Sequence, residues 1–279
     1  MKKSQFLITM AALLSTSALA ATDIAVVSCY DTRLGVKPAA VGSELFVLVD
    51  QTTVFDPVLQ QQVANSVRPF MRADHAFSVV TFSAFSQGRY TQVLAAGTIE
   101  PAIGQVARDD ISKPLLARFD VCAKRQPQLA MQAIGSALRS AFAGASVDLA
   151  KSDVMGSIKS ISARVKASSA RRKVVLIASD MLENSSVTAF YGSKGQSVRQ
   201  IDPHQELKLA ADNDLFGDFG GAEIYVIGAG LLAPDAGKKS TYRDPKTMRA
   251  LNAFWNRYFQ KSQATVVEIG QPALLNDMR

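Results

Sequence analysis

The sequence predicts an α/β fold: a three-layer, doubly wound, mostly parallel sheet with one antiparallel edge strand. Three observations carry this. Short apolar runs rich in β-branched residues alternate with helical periods, which implies crossover units feeding a parallel sheet. Several runs are continuously apolar, as strands covered on both faces are. Asp-Pro precedes a helical period at Asp56-Pro57, Asp202-Pro203 and Asp244-Pro245. There Asp can accept from free backbone N–H groups, and Pro tolerates the first helical position.

In chain order, residues 1–20 read as a cleaved targeting segment. Lys2 and Lys3 lead, Phe6–Leu14 is a short apolar core, and Ala18-Leu19-Ala20 supplies the small-x-small pattern. Residues 21–43 form an N-terminal extension, and 44–279 a single domain. Its first strand, Leu45–Val49, runs into Asp50. Leu59, Val63, Val67 and Phe70 then step along one helix face. Phe77–Phe82 and Tyr90–Leu94, parted by Gln87-Gly88, predict a hairpin that supplies the antiparallel edge. Residues 95–128 contain prolines, an Arg108-Asp109-Asp110 turn and Cys122, and read as an insertion. Helical periods follow at Ile134-Leu138-Ala141 and at Val154-Ile158-Ile161-Val165. The strand Val174–Ala178 then runs on to Ser179-Asp180. Residues 181–221 form a second irregular insertion, with a helix starting at Asp202-Pro203. The strand Ile224–Ile227 precedes a helix carrying Met248, Leu251, Trp255 and Tyr258, whose aromatics belong to the core, and Val266–Ile269 is the last strand.

Composition limits the partners. The formal charge of +7 falls to +5 once Lys2 and Lys3 are removed. No dense Lys/Arg block with interleaved aromatics suggests nucleic acid. No later stretch approaches eighteen apolar residues, so no stable membrane insertion is expected. The expected location is periplasmic or secreted. In an oxidising compartment Cys29 and Cys122 read as a disulfide, which would add about 4 to 5 kcal/mol in the chain-entropy picture. Two buried thiols are the alternative.

In open parallel sheets, ligands bind beyond the carboxyl ends of the strands. Asp50 and Asp180 both stand there, with Thr52, Thr53 and Ser179 beside them. From Glu44 to about Gln271 the chain resembles the von Willebrand factor type A family. That family has an apolar strand ending in Asp-x-Ser-x-Ser, then a helix, a hairpin, a helix entered by a Thr loop, and a strand ending near another Asp. The resemblance implies a metal-ion-dependent adhesion site in which oxygens hold Mg²⁺ and a partner's carboxylate completes the shell, as suits a hard cation. Carried over residue by residue, Asp50 is the leading acid, Thr52 the first hydroxyl and Asp180 the late acid. Gln132 takes the place of the family's Thr. Val54 departs from the pattern, because it cannot ligate.

Two other readings of Asp50 compete. Asp50-Gln-Thr-Thr-Val54 is also similar to the haloacid-dehalogenase phosphatases, with Asp50 as nucleophile and Ser179 touching phosphate. That reading lacks a second acid at position 52 to move a proton, and an acidic pair after Ile227 to hold Mg²⁺. Alternatively, Asp50 and Thr52 only cap the strand-to-helix loop. Gly228-Ala-Gly-Leu-Leu-Ala233 matches a dinucleotide fingerprint, but Pro234 intervenes where the helix is needed. His75 and His204 are the only histidines, and no Gly-x-Ser-x-Gly accompanies them.

The loop after Asp180 carries Glu183, Asn184 and Ser185, which with Thr53 are candidate partner contacts. The expected function is an exported, non-catalytic binding or adaptor protein recognising another envelope or secreted protein. An exported phosphohydrolase, or a structural component of an envelope secretion or conjugation assembly, are the alternatives.

Overall fold

The computed structural model describes residues 26–83, 91–146, 152–192, 197–232 and 244–279. The expected targeting segment (1–20), the Gln87-Gly88 turn and Tyr90 lie outside these residues. The apolar runs become β1 (Ser43–Asp50), β2 (His75–Phe82), β4 (Arg172–Ala178), β7 (Ala222–Ile227) and β8 (Ala264–Ile269). The edge strand β3 (Gln92–Ile99) runs five residues past its expected end. These six form one sheet in the order β3-β2-β1-β4-β7-β8. All neighbouring pairs are parallel except β2–β3.

Continuous apolar strands need cover on both sides, and two cores supply it. On one face α1 (Pro57–Val67) and the C-terminal half of α3 (Lys113–Ala143) pack on Leu45, Val47, Val79, Leu176 and Ile227. On the other, α4 (Val154–Ala167), α5 (Pro203–Asp212) and α6 (Pro245–Lys261) pack on Phe46, Leu48, Val80, Ile177 and Val226. Trp255 and Tyr258 are fully buried in this second core. Each Asp-Pro behaves as expected, for Asp56, Asp202 and Asp244 accept from the backbone N–H groups of Leu59, His204 and Thr247.

The stretch 95–128 differs from the expected irregular insertion. It holds most of β3, the short α2 (Gln105–Asp109) and the first half of the 31-residue α3, which continues through Pro127. Proline's missing N–H and ring clash oppose an interior helical position. Packing overrides it here. The N-terminal half of α3 closes a satellite core in which Phe119 and Cys122 meet Cys29, Leu34, Ile103 and Ile111. Cys29 and Cys122 are disulfide-bonded, with Cα atoms 5.6 Å apart. The described parts of 181–221 are irregular except for α5 and two two-residue strands, β5 (Tyr191–Gly192) and β6 (Ser197–Val198), which pair outside the main sheet. Among the described residues no helix is long and apolar enough to cross a membrane.

Candidate functional site

From β1 the chain builds outward one way through β2 to β3, and the other way through β4 to β8. The order therefore reverses between β1 and β4, and a crevice opens at such a switch point, outside the carboxyl ends. The register pairs Val49 with Ala178, so one further step sets Asp50 beside Ser179. The Ser179 hydroxyl donates to Asp50 Oδ2 at 2.7 Å. The two acids thus leave neighbouring parallel strands on one rim.

Asp50 Oδ1 accepts from the Thr52 N–H at 2.8 Å and from the Thr52 hydroxyl at 2.6 Å. The Thr52 Oγ1 lies 2.9 Å from the hydroxyl of Ser152. Ser152 precedes α4, whose N-cap, Asp153, accepts from the Gly156 N–H. Asp180 Oδ1 accepts from the Leu182 N–H at 2.8 Å, and Oδ2 accepts from the Tyr191 hydroxyl at 2.5 Å. The exit of β7, the strand beside β4, packs against the rim. Gly228 has φ 106°, and a Cβ there would stand 2.5 Å from the Phe55 ring and 2.9 Å from the Ser179 carbonyl. The Gly228-Ala-Gly230 stretch is thus a tight strand exit, and Gly230 N–H donates to the Asp180 carbonyl.

The crevice is sealed rather than open. Asp50 is 0% and Asp180 3% exposed. Burial raises the carboxyl of Asp50, against the pull of its Thr52 and Ser179 bonds. Burial first, and the nearby Asp50 second, push Asp180 up to about 8. Two buried acids so close cannot both be charged at little cost.

Several expected positions are corrected. Gln132 is exposed on the body of α3. It is the far end of that helix that reaches the rim, where the Gln51 side chain donates to the Ala141 carbonyl at 2.7 Å. Nine residues of helix, about 13 Å, separate Gln132 from that contact. At the rim it is Ser152, not Gln132, whose side chain meets Thr52. Thr53 is buried and its hydroxyl accepts from the Asp180 N–H, so it braces the rim instead of meeting a partner. Glu183 is 0% exposed, with Oε2 accepting from the Met155 N–H at 2.8 Å, and is likewise interior. Asn184 and Ser185 are half-buried at the surface. His75 lies at the opposite end of β2, with Nδ1 3.1 Å from the Ala73 carbonyl, and His204 is exposed in the first turn of α5.

Ser152 and Tyr191 were not legible as site residues. Ser152-Asp153 ahead of an apolar helical period carries a helix-start signal, which could have placed Ser152 at the rim. Nothing local marks Tyr191. Asp50, Thr52, Ser152 and Asp180 present oxygen donors only, a set whose chemistry suits a hard cation. Val54, 43% exposed, contributes none. Among the described residues no three His, Cys, Asp or Glu side chains cluster in a metal-holding arrangement.

No family model matches the sequence, and no curated protein matches it. Fifteen chains of solved structures match it. One is an aerotolerance-related membrane protein from Bacteroides fragilis NCTC 9343, with multiple mutations to serines. It is 10% identical, aligned over 82% of this chain and 92% of that chain, with a TM-score of 0.35.

Proposed function

We propose that this chain is an exported, non-catalytic protein-binding module of the von Willebrand A-like kind, which captures another envelope or secreted protein at the β1/β4 rim. One observation carries the reading: strand order reverses where Asp50, Thr52 and Ser152 meet, with Asp180 next to the Ser179 that donates to Asp50. Export is supported by the Cys29–Cys122 bridge, since such bonds persist in oxidising compartments, and by the character of residues 1–20.

The residues at the rim have the chemistry to hold Mg²⁺: Asp50, Thr52, Ser152 and Asp180. Bound there, the ion would supply a Lewis-acidic position for a carboxylate of the partner. The chain's own part is to keep those oxygens fixed. Thr52 is held by Asp50 and Ser152, and Asp180 by Thr53 and Leu182. Among the described residues no histidine stands at the rim to act as a base, and binding fits the site better than turnover.

Calorimetric titration of the mature protein with Mg²⁺ or Mn²⁺, beside affinity capture from native extracts, tests this. The expected result is saturable binding that Asp50→Ala weakens at least tenfold, with capture of a partner lost in the same variant. Equal capture by wild type and Asp50→Ala would remove the rim from the function.

A further inference from the structure

The structure assigns to Tyr191 the role of an internal gate: its phenol occupies the mouth of the β1/β4 crevice and must turn away before a cation or a partner reaches Asp180. This rests on the rim being the binding site, as proposed above, and adds how access to it is controlled.

The four oxygens of Asp50 and Asp180 all accept hydrogen bonds, yet the donors differ in kind. Thr52, Leu182 and Ser179 belong to the strand ends that carry the acids, and they stay as long as the sheet does. Tyr191 comes from a segment that leaves the rim and returns to it, and is half-buried above an acid that is 3% exposed. Its phenol thus sits directly on Asp180, on the side from which the segment approaches the rim.

The residues on either side of that ring are anchored independently of it. Successive side chains in extended backbone point to opposite sides. Phe190 enters the core, with its ring edge-on to Phe254 at 5.1 Å and near Trp255 at 6.4 Å. Below it, Arg199 donates to Glu206 at 2.5 Å and to Thr188 at 3.1 Å, which fixes the base of the segment. Tyr191 itself lies in β5, a two-residue strand whose partner is equally short and outside the main sheet. A ribbon of that size gives little support of its own. The ring packs against the core beneath it, and the Asp180 contact is the hydrogen bond that keeps its phenol over the acid. The same segment also touches the far side of the crevice, because the backbones of Asn184 and Ser152 exchange hydrogen bonds of 2.8 and 3.1 Å. A group entering between Thr52 and Asp180 would meet both attachments.

Tyr191→Phe keeps the ring and removes the donor, and Tyr191→Ala removes both. Two readouts on the mature, oxidised protein test the gate: Mn²⁺ titration by calorimetry, and amide hydrogen exchange over residues 182–192. The expected results are Mn²⁺ binding at least tenfold tighter in Tyr191→Phe than in wild type, more so in Tyr191→Ala, and exchange at Leu182 and Tyr191 at least tenfold faster. Equal Mn²⁺ affinity in the three proteins overturns the gate. If none of them binds Mn²⁺, faster exchange in the variants upholds the gate and leaves the cation reading to fail alone. Unchanged exchange in that case overturns the gate too.

Discussion

Glu183 shows how a single buried acid sets the pH response. It lies at the N-terminus of α4, fully covered, and its Oε1 makes no hydrogen bond of normal geometry. Burial pushes its carboxyl up to about 8, only partly offset by donors such as the Met155 N–H. In the unfolded chain the same group titrates near 4. Below that value both states hold the proton and the contribution to stability is full. Between about 4 and 8 the unfolded chain releases the proton and the folded one keeps it, so stability falls as pH rises. Asp180 acts in the same direction. Denaturant titrations should show wild type losing stability from pH 5 to 8.5. Glu183→Gln should show a shallower fall, with a gain of about 1 kcal/mol or more at pH 8.5 that shrinks towards pH 5. Parallel curves for the two proteins would refute this. At this scale Asp50 and Asp180 were legible in the sequence because each ends an apolar run. Ser152 and Tyr191 were not, since only the folded loops bring them to the rim. Gln132 was misplaced because Pro127 hid the helix that contains it.

Elements were more legible than residues. The strands β1, β2, β4, β7 and β8 announce themselves by β-branched runs, and the Asp-Pro pairs mark α1, α5 and α6. The full α3 stayed hidden, because its N-terminal half answers to a satellite core and to a disulfide, neither of which has a local signature. The exit of β7 allows a sharp test of how elements hold the rim. Gly228 combines a left-handed φ of 106° with a close approach to Phe55 and to the Ser179 carbonyl. Gly228→Ala adds backbone strain of about 1 to 3 kcal/mol, and its Cβ must also displace the Phe55 ring or the β4 end. The expected outcome is a loss of at least about 2 kcal/mol in denaturant titration. Gly230→Ala, at a second left-handed glycine whose close neighbour is the flexible end of Met248, with Leu251 at ordinary contact distance, should cost less. A neutral Gly228→Ala would mean that the strand ends relax freely and that the rim is not held rigid by the exit of β7.

For the molecule as a whole, the satellite core decides whether the chain behaves as one cooperative unit. The N-terminal extension joins the sheet domain through Cys29–Cys122 and through Glu100, a carboxylate 5% exposed. Glu100 accepts from the Ser28 hydroxyl, from the Cys29 N–H at 2.7 Å and from the Gln126 amide at 3.0 Å. The bridge closes a span of 93 residues, so its loss frees the unfolded chain substantially and should cost about 2 to 5 kcal/mol. The loss should not be spread evenly. The two main cores contain neither cysteine, whereas the satellite core is small and built around both, and small cores open first. Cys122→Ser is therefore expected to lower the guanidinium midpoint and to expose residues 26–42 and 100–125 to limited proteolysis. Amides in β1 and β4 should stay protected under native conditions. The rim, whose donors all belong to the sheet domain, should keep the Mn²⁺ affinity of the oxidised protein. Proteolysis confined to the oxidised pattern would show that the Glu100 cluster and the burial of Val26 hold the extension without the bridge, whereas loss of protection in β1 would show that the extension is part of the same folding unit as the sheet.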